Sequence, residues 1–179
     1  MKKIICIILF IFLGISQAIG GGKMIIKSNS YPNEGMMPKK YVIKTIGGQN
    51  ISPEFSWENA PENTKSFALI MVDPHPIARN WLHWAIINIP KDFSKLEEGF
   101  SLSNKCASCR ELINSFGFKG YGGPQPPRGT GKHPYVTTIY ALDSEKINIR
   151  DNPTYEELIN AIAPHILDKA NYTGYFEQK

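Results

Sequence analysis

The chain has 179 residues, of which 42% are hydrophobic and 20% charged, a composition typical of a single globular domain. Its 20 basic and 16 acidic side chains give a formal charge of +4, to which Lys2 and Lys3 contribute two. The chain beyond those lysines, with 18 basic and 16 acidic side chains, is nearly neutral and gives no case for nucleic-acid binding. The 15 glycines and 13 prolines favour a loop-rich β protein over a helical bundle.

Residues 1–18 have the pattern of a secretory signal peptide. The two lysines precede an apolar run over 4–15 that is short for a transmembrane span, and Ser16 and Ala18 are the small residues that a signal peptidase requires. We predict cleavage after Ala18 and export of residues 19–179, as one domain, to the periplasm or the exterior; an uncleaved anchor is the alternative. No later apolar stretch is long enough to cross a membrane, so no transmembrane segment is predicted after cleavage.

Three apolar runs predict the central strands of the domain. They cover residues 66–73, 81–90 and 134–143, and the continuous apolarity of the first two indicates strands buried on both faces. The third is rich in β-branched and aromatic residues, which favour strands. Residues 92–132 contain many turn-forming residues and predict irregular structure. The pattern predicts a mainly β protein, an antiparallel β-sandwich with a few short peripheral helices.

One of those helices is predicted near the C-terminus, over residues 154–170. Thr154 and Glu157 have the spacing of a capping box, in which each side chain accepts a hydrogen bond from the other residue's backbone. From Leu158 onward, apolar residues recur at helical spacing, so one face of the helix is predicted to be buried. Pro164 interrupts this pattern and predicts a kink or a break.

Polar side chains stand at the edges of the three predicted strands. Asp73 ends the first strand, His83 lies near the start of the second, and His133 and Tyr135 open the third. Strand alternation places His83 on the same face as Ala85. If the strands are neighbours, these side chains gather at one rim, where a charged group must be paired or functional to offset its burial. A set of solvated strand ends is the alternative interpretation.

Two further features lie in the loops. The glycine- and proline-rich stretch over 120–129 can present backbone N–H groups to an anion, since glycine has no Cβ to obstruct the approach. Cys106 and Cys109 form a C-x-x-C pair, for which a short structural disulfide or two idle thiols are favoured over a redox or metal role. His75 stands between two prolines and is predicted to lie in a turn, with the His75–Pro76 bond a candidate for a cis peptide.

Other chemistries fit this sequence less well. It has no glycine motif for nucleotides, no G-x-S-x-G elbow and no H-E-x-x-H motif. Asp73, His83 and His133 could supply a metal site, but their wide spacing in the chain disfavours it, so neither a metal nor a cofactor is predicted. The alternative to a binding protein is an enzyme that acts on a small phosphorylated compound, with Asp73 and His133 as acid and base.

Two long motifs follow the order found in a known family. The stretch "ALIMVDPHPIARNWLHWAIINIP" is similar to a D-P-D-x-P motif and the His-Trp strand after it. The stretch "GYGGPQPPRGTGKHPYVTTIYALD" is similar to a block with G-P-x-P-P-x-G, His-x-Tyr and A-L-D. From about residue 41 to its end, the chain therefore resembles the phosphatidylethanolamine-binding proteins, or Raf-kinase-inhibitor-like proteins, and in particular their small bacterial branch.

The resemblance implies an antiparallel β-sandwich with one small pocket for phosphate-like anions and phosphatidylethanolamine head groups. It also implies a possible protein partner, since kinase or protease inhibition is attributed to some members. Six residues are expected to bind the ligand: Asp73, His83, Gly123, Pro124, His133 and Tyr135. The histidines and the backbone N–H groups near Gly122 and Gly123 are expected to donate to phosphate, and Asp73 to orient a histidine or pair with an ammonium group. His75, Gln125 and Pro134 depart from the family pattern, His75 by replacing the second acid of D-P-D-x-P.

Overall fold

The structure is a computed structural model that describes residues 22–179. The predicted signal peptide lies outside the described residues. The strands are β1 Ile25–Lys27, β2 Gly35–Met36, β3 Phe55–Glu58, β4 Ser66–Asp73, β5 Trp81–Pro90, β6 Lys95–Leu96, β7 Arg110–Glu111, β8 His133–Leu142 and β9 Ile166–Phe176. The helix α1 spans Tyr155–Ile162, and 3₁₀ turns occur at Lys39–Tyr41, Lys44–Ile46 and Ala163–His165.

These strands form two sheets. The smaller sheet has the order β1-β3-β6, and the larger has the order β2-β9-β8-β4-β5-β7. Neighbouring strands are antiparallel throughout, except for the short parallel pair β2 and β9. The fold is therefore the mainly β, antiparallel architecture that the sequence predicts. Within residues 22–179, no helix combines the length and the apolarity that crossing a membrane requires.

Strand β4 lies at the centre of a three-layer arrangement, with the small sheet on one side and α1 on the other. Phe67, Leu69 and Met71 pack into the core between the two sheets. Ala68 and Ile70, which alternate with them, pack on the opposite face with residues of α1. All eight residues of β4 are buried. The continuous apolar run in the sequence thus reflects a strand covered on both faces.

The C-terminal helix is shorter than predicted. Its capping box is present, with Thr154 Oγ1 accepting from the Glu157 N–H at 3.2 Å. The helix ends at Ile162, and Pro164, which has no N–H to donate, lies in the 3₁₀ turn that follows. Residues 166–170, predicted as helix, instead begin β9, which pairs with β8 along its length. The prediction of a break at Pro164 is confirmed, whereas the helix beyond it is wrong.

The structure also decides two local predictions, one about the cysteine pair and one about the His75–Pro76 bond. Cys106 and Cys109 form a disulfide, with their Cα atoms 5.3 Å apart, in the loop between β6 and β7. Among residues 22–179 no peptide bond is cis, so the cis prediction for His75–Pro76 is wrong. His75 does lie in a turn, because Asp73 Oδ1 accepts its N–H at 2.9 Å and its carbonyl accepts the N–H groups of Ala78 and Arg79. This turn forms with every bond trans.

Candidate functional site

Sheet pairing brings the predicted rim residues together. Val72, next to Asp73, pairs with Val136 of β8 on one side and with Leu82 of β5 on the other. Because both pairs are antiparallel, the end of β4 lies between the starts of β5 and β8. Asp73, His83, His133 and Tyr135 therefore meet at one rim of the large sheet, as predicted. All four are buried.

Asp73 and His133 form a buried pair. His133 Nδ1 lies 2.6 Å from Asp73 Oδ2, and the two side chains are 0% and 4% exposed. Asp73 Oδ1 accepts the backbone N–H of His75, so both carboxylate oxygens have a partner. The ring of His75 stacks on that of His133 with centroids 3.8 Å apart. Asp73 thus orients a histidine, which is one of its two expected roles.

The second ring nitrogen of His133 is also occupied. Nε2 lies 2.9 Å from Thr130 Oγ1, and the Thr130 hydroxyl donates to the Pro127 carbonyl at 2.7 Å. Both ring nitrogens of His133 therefore have a partner within the protein. His133 is therefore held by the protein on both sides, and is less free to bind a ligand than the sequence suggested.

A β-bulge positions His83. The pairing of β4 with β5 shifts between Met71–Trp84 and Val72–Leu82, which leaves His83 as the extra residue. Its ring packs edge-on against Tyr135, with centroids 4.9 Å apart, at the end of the core between the sheets. Ala85 belongs to the opposite face, beneath the helix. The bulge thus breaks the strict alternation, and the prediction that His83 and Ala85 share a face is wrong.

His83 is a neutral histidine with a fixed tautomer. Its Nδ1–H donates to the Gly122 carbonyl at 2.6 Å, because a carbonyl can only accept. Burial lowers the pKa of His83 from 6.5 to about 4, against a weaker opposing effect of that hydrogen bond and of Asp73. Near neutral pH, Nε2 therefore has a lone pair and no proton. The expectation that His83 donates to phosphate does not hold for the free protein.

Tyr135 has a buried hydroxyl that forms no hydrogen bond of good geometry, although the backbone of Gln125 lies close to it. Burial raises the pKa of this hydroxyl above its usual value, so it carries its proton at neutral pH and can donate it. The ring of Phe116 stands edge-on to His83, with centroids 5.4 Å apart. Trp81, which contacts Phe116 in turn, is exposed at the outer edge. The site thus combines a few polar groups with an aromatic wall.

These groups line a cavity of about 210 Å³. Its lining residues are Asp73, Ile77, Ala78, Trp81, His83, Phe116, Gln125, Pro126, Pro127, His133 and Tyr135. The volume is below the roughly 300–1,000 Å³ of pockets that hold drug-sized ligands, so the cavity suits a small group. Within residues 22–179, no lysine or arginine lines it. The same part of the chain contains no cluster of three histidine, cysteine or carboxylate side chains that could hold a metal ion.

Gly123 and Pro124 do not line this cavity. A Cβ on Gly123 would lie 2.1 Å from the Tyr41 carbonyl oxygen, so glycine is needed there for close packing of two backbones. Its N–H donates to Asn50 Oδ1 at 2.8 Å, and the Gly122 N–H donates to the His83 carbonyl at 2.8 Å. The prediction that these N–H groups serve as anion donors is therefore not supported by the geometry. The glycines anchor the loop that carries Gln125.

Several lining residues were missed because no local pattern marks them. Ile77 and Ala78 come from the turn between β4 and β5, Trp81 is the first residue of β5, and Phe116 comes from the long irregular segment. Thr130 lies only three residues before His133, and its contact with Nε2 depends on the fold of the loop. Trp81 and Ile77 are 39% and 55% exposed, and large apolar side chains on a surface often border a site, but this exposure is visible only in the structure.

The fold and the site together define a β-sandwich with a small, largely uncharged pocket at one rim of its larger sheet. The sequence profile described as phosphatidylethanolamine-binding protein matches residues 27–177. The chain therefore belongs to the phosphatidylethanolamine-binding protein family. This membership agrees with the resemblance seen in the two motifs.

Relatives of known sequence or structure agree with this assignment. A UPF0098 protein of Aquifex aeolicus is 36% identical over 159 residues, which cover 89% of this chain and 91% of the relative. The crystal structure of Escherichia coli YbcL has a TM-score of 0.82 at 29% identity, covering 88% of this chain and 99% of YbcL. The phosphatidylethanolamine-binding protein homologue CT736 of Chlamydia trachomatis has a TM-score of 0.73 at 31% identity, with coverage of 88% and 99%.

Proposed function

We propose that this protein binds a small phosphoryl compound, such as phosphate or a phosphoethanolamine head group, in the cavity at the rim of the large sheet. The observation that carries the proposal is the position of Tyr135 and His83. Tyr135 lines this cavity and has a buried hydroxyl that forms no hydrogen bond of good geometry, and His83 has one ring nitrogen left for a ligand. Buried polar groups are nearly always hydrogen-bonded, so an unpaired hydroxyl beside a cavity favours a ligand that accepts from it.

The Tyr135 hydroxyl provides a direct test. We expect Tyr135→Phe to weaken binding of O-phosphoethanolamine by at least about tenfold, since a hydrogen bond to a charged group contributes roughly 1.5–3 kcal/mol. The substitution removes no hydrogen bond of good geometry, only a contact of the hydroxyl with the Gln125 backbone, so folding should be preserved. Isothermal titration calorimetry at pH 7 measures the dissociation constant.

Tyr31→Phe is the matched control for this test. The Tyr31 hydroxyl is also buried and without a partner, but Tyr31 packs between the two sheets and does not line the cavity. Its loss should leave binding unchanged. Equal affinities in the wild type and Tyr135→Phe would exclude the hydroxyl as a ligand donor. If the wild type binds neither O-phosphoethanolamine nor inorganic phosphate, the proposed function is wrong.

We further propose that the protein acts after export, in the periplasm or outside the cell. The signal-peptide pattern of residues 1–18 supports this, and so does the Cys106–Cys109 disulfide, because disulfides persist mainly in oxidising compartments. Native mass spectrometry of protein purified from its own compartment should give the mass of residues 19–179 and reveal any retained anion. Recovery of the full-length chain from the cytoplasm would contradict export.

An inhibitor role for a kinase or protease is compatible with ligand binding and needs a separate test. Inhibition through an exposed loop would persist in Tyr135→Phe, whereas inhibition controlled by the pocket would weaken with it. The enzymatic alternative assigns Asp73 and His133 as acid and base. Turnover of a phosphomonoester by the wild type, with its loss in His133→Ala, would favour that alternative.

A further inference from the structure

The cavity offers a ligand one hydrogen-bond acceptor and one donor from its rim residues. Gly122 holds His83 Nδ1, which leaves Nε2 as an acceptor, while the Tyr135 hydroxyl is a donor. Asp73 and His133 are less available, because both carboxylate oxygens and both ring nitrogens already have partners. A ligand that satisfies this pair must itself present a proton to His83 and an oxygen to Tyr135.

The charges around the cavity also disfavour a ligand that has two negative charges and no proton to donate. The titratable groups that line it with His83 are Asp73 from β4 and His133 and Tyr135 from β8. Asp73 and His133 are hydrogen-bonded to each other, and Tyr135 is uncharged. No titratable group from the turn after β4 or from the loop 125–127 lines the described cavity. A phosphate dianion would bring two negative charges to a lining without lysine or arginine, whereas a monoanion brings only one, so burying the dianion is the more unfavourable.

We propose, on the basis of the binding function above, that the pocket selects phosphomonoesters in their singly protonated form over phosphodiesters. The P–OH group of such a monoanion donates to His83 Nε2, and an unprotonated phosphoryl oxygen accepts from the Tyr135 hydroxyl. No covalent bond changes; when the dianion dominates in solution, one proton is taken up from water on binding. A phosphodiester also has one negative charge, but it has no proton to donate to Nε2.

This selection distinguishes two sources of the same head group. O-phosphoethanolamine is a monoester, whereas glycerophosphoethanolamine has the phosphodiester of the intact lipid, and both have the same ammonium group. The second ionisation of a phosphomonoester has a pKa of about 6, so at pH 7.5 most of it is the dianion. The pocket is therefore suited to a free phosphorylated small molecule rather than to a membrane lipid.

Calorimetry of the wild-type protein tests the inference without any mutation. At pH 7.5, in buffers that differ in ionisation enthalpy, O-phosphoethanolamine should bind with uptake of about one proton and glycerophosphoethanolamine with none. At pH 6, the monoester should bind at least about tenfold more tightly, since the diester leaves Nε2 unpaired. The ³¹P chemical shift of the bound monoester should be that of the monoanion.

Three results would overturn this inference while leaving the proposed function intact. These are equal affinity for the two compounds at pH 6, proton uptake with both of them, or a bound monoester with the ³¹P shift of a dianion. Proton uptake with the diester would show that the proton goes to the protein and not to the ligand. If neither compound nor inorganic phosphate binds, the proposed function fails as well.

A substitution at His83 identifies the group responsible. Asparagine can still donate to the Gly122 carbonyl, but it lacks the imidazole Nε2, so His83→Asn should lose the preference for the monoester. His165→Asn is the matched control, because His165 is an exposed histidine that pairs with Asp143 and does not line the cavity. A preference for the monoester that survives in a folded His83→Asn protein would contradict the role of Nε2.

Discussion

Asp73→Ala should destabilise the protein by roughly 3–5 kcal/mol, because it removes one partner of a buried carboxylate–histidine pair. Asp73 and His133 lie 2.6 Å apart with almost no exposure, so losing the carboxylate leaves the buried His133 Nδ1 without its partner. The substitution also leaves the His75 N–H without its acceptor in the turn after β4. Urea unfolding at pH 7, followed by circular dichroism, measures the change in the free energy of unfolding.

The surface of the same protein supplies a matched control. Asp143 and His165 form the same kind of pair at 2.9 Å, but their side chains are 48% and 40% exposed. Exposed pairs contribute little, so Asp143→Ala should cost less than about 1 kcal/mol. Asp73→Asn keeps the shape of the side chain and one acceptor oxygen. Its loss in the free energy of unfolding should therefore lie between the losses of Asp73→Ala and Asp143→Ala. Equal destabilisation by Asp73→Ala and Asp143→Ala would mean that burial adds nothing to the pair.

The central strands were predictable from the sequence because burial on both faces gives a continuous apolar run. The predicted ranges 66–73 and 81–90 match β4 and β5. The third range, 134–143, is displaced by one residue at each end from β8. Strand β9 was missed because it is only half-buried and alternates apolar residues with Lys169 and Asn171. Its Ile166 also has helical spacing from Ile162, so a local pattern favoured the helix. Pairing with β8, a long-range interaction, determines the strand instead.

The position of the site residues at one rim of the sheet was also predictable from the sequence. Residues at strand ends could be assigned to one rim, because antiparallel neighbours place alternate ends together. The bulge at His83 and the contact of Thr130 with His133 depend on strand register and loop shape, which no sequence pattern specifies. The role of Gly122 and Gly123 also depends on the fold and not on a local pattern. A glycine needed for backbone packing against Tyr41 looks, in the sequence alone, like one that exposes its N–H to an anion.

His83 should make the protein acid-sensitive in a defined pH range. Its pKa is about 4 in the folded protein and 6.5 when exposed, so between these values the unfolded chain binds more protons than the folded one. The contribution of neutral His83 to stability is therefore complete above pH 6.5 and decreases as the pH falls toward 4. A shift of this size corresponds to about 3 kcal/mol over the whole range.

The difference between the wild type and His83→Asn isolates this contribution, because the other titrating groups are common to both proteins. From pH 6.5 to pH 4, the wild type should lose about 3 kcal/mol more of its free energy of unfolding than the variant does, as measured by urea unfolding. The exposed-site variant His165→Asn should follow the wild-type curve closely. Parallel curves for the wild type and His83→Asn would show that the buried imidazole takes up its proton without loss of stability. In that case Nε2 could donate to a phosphate dianion, and the pocket would have no reason to prefer a protonated ligand.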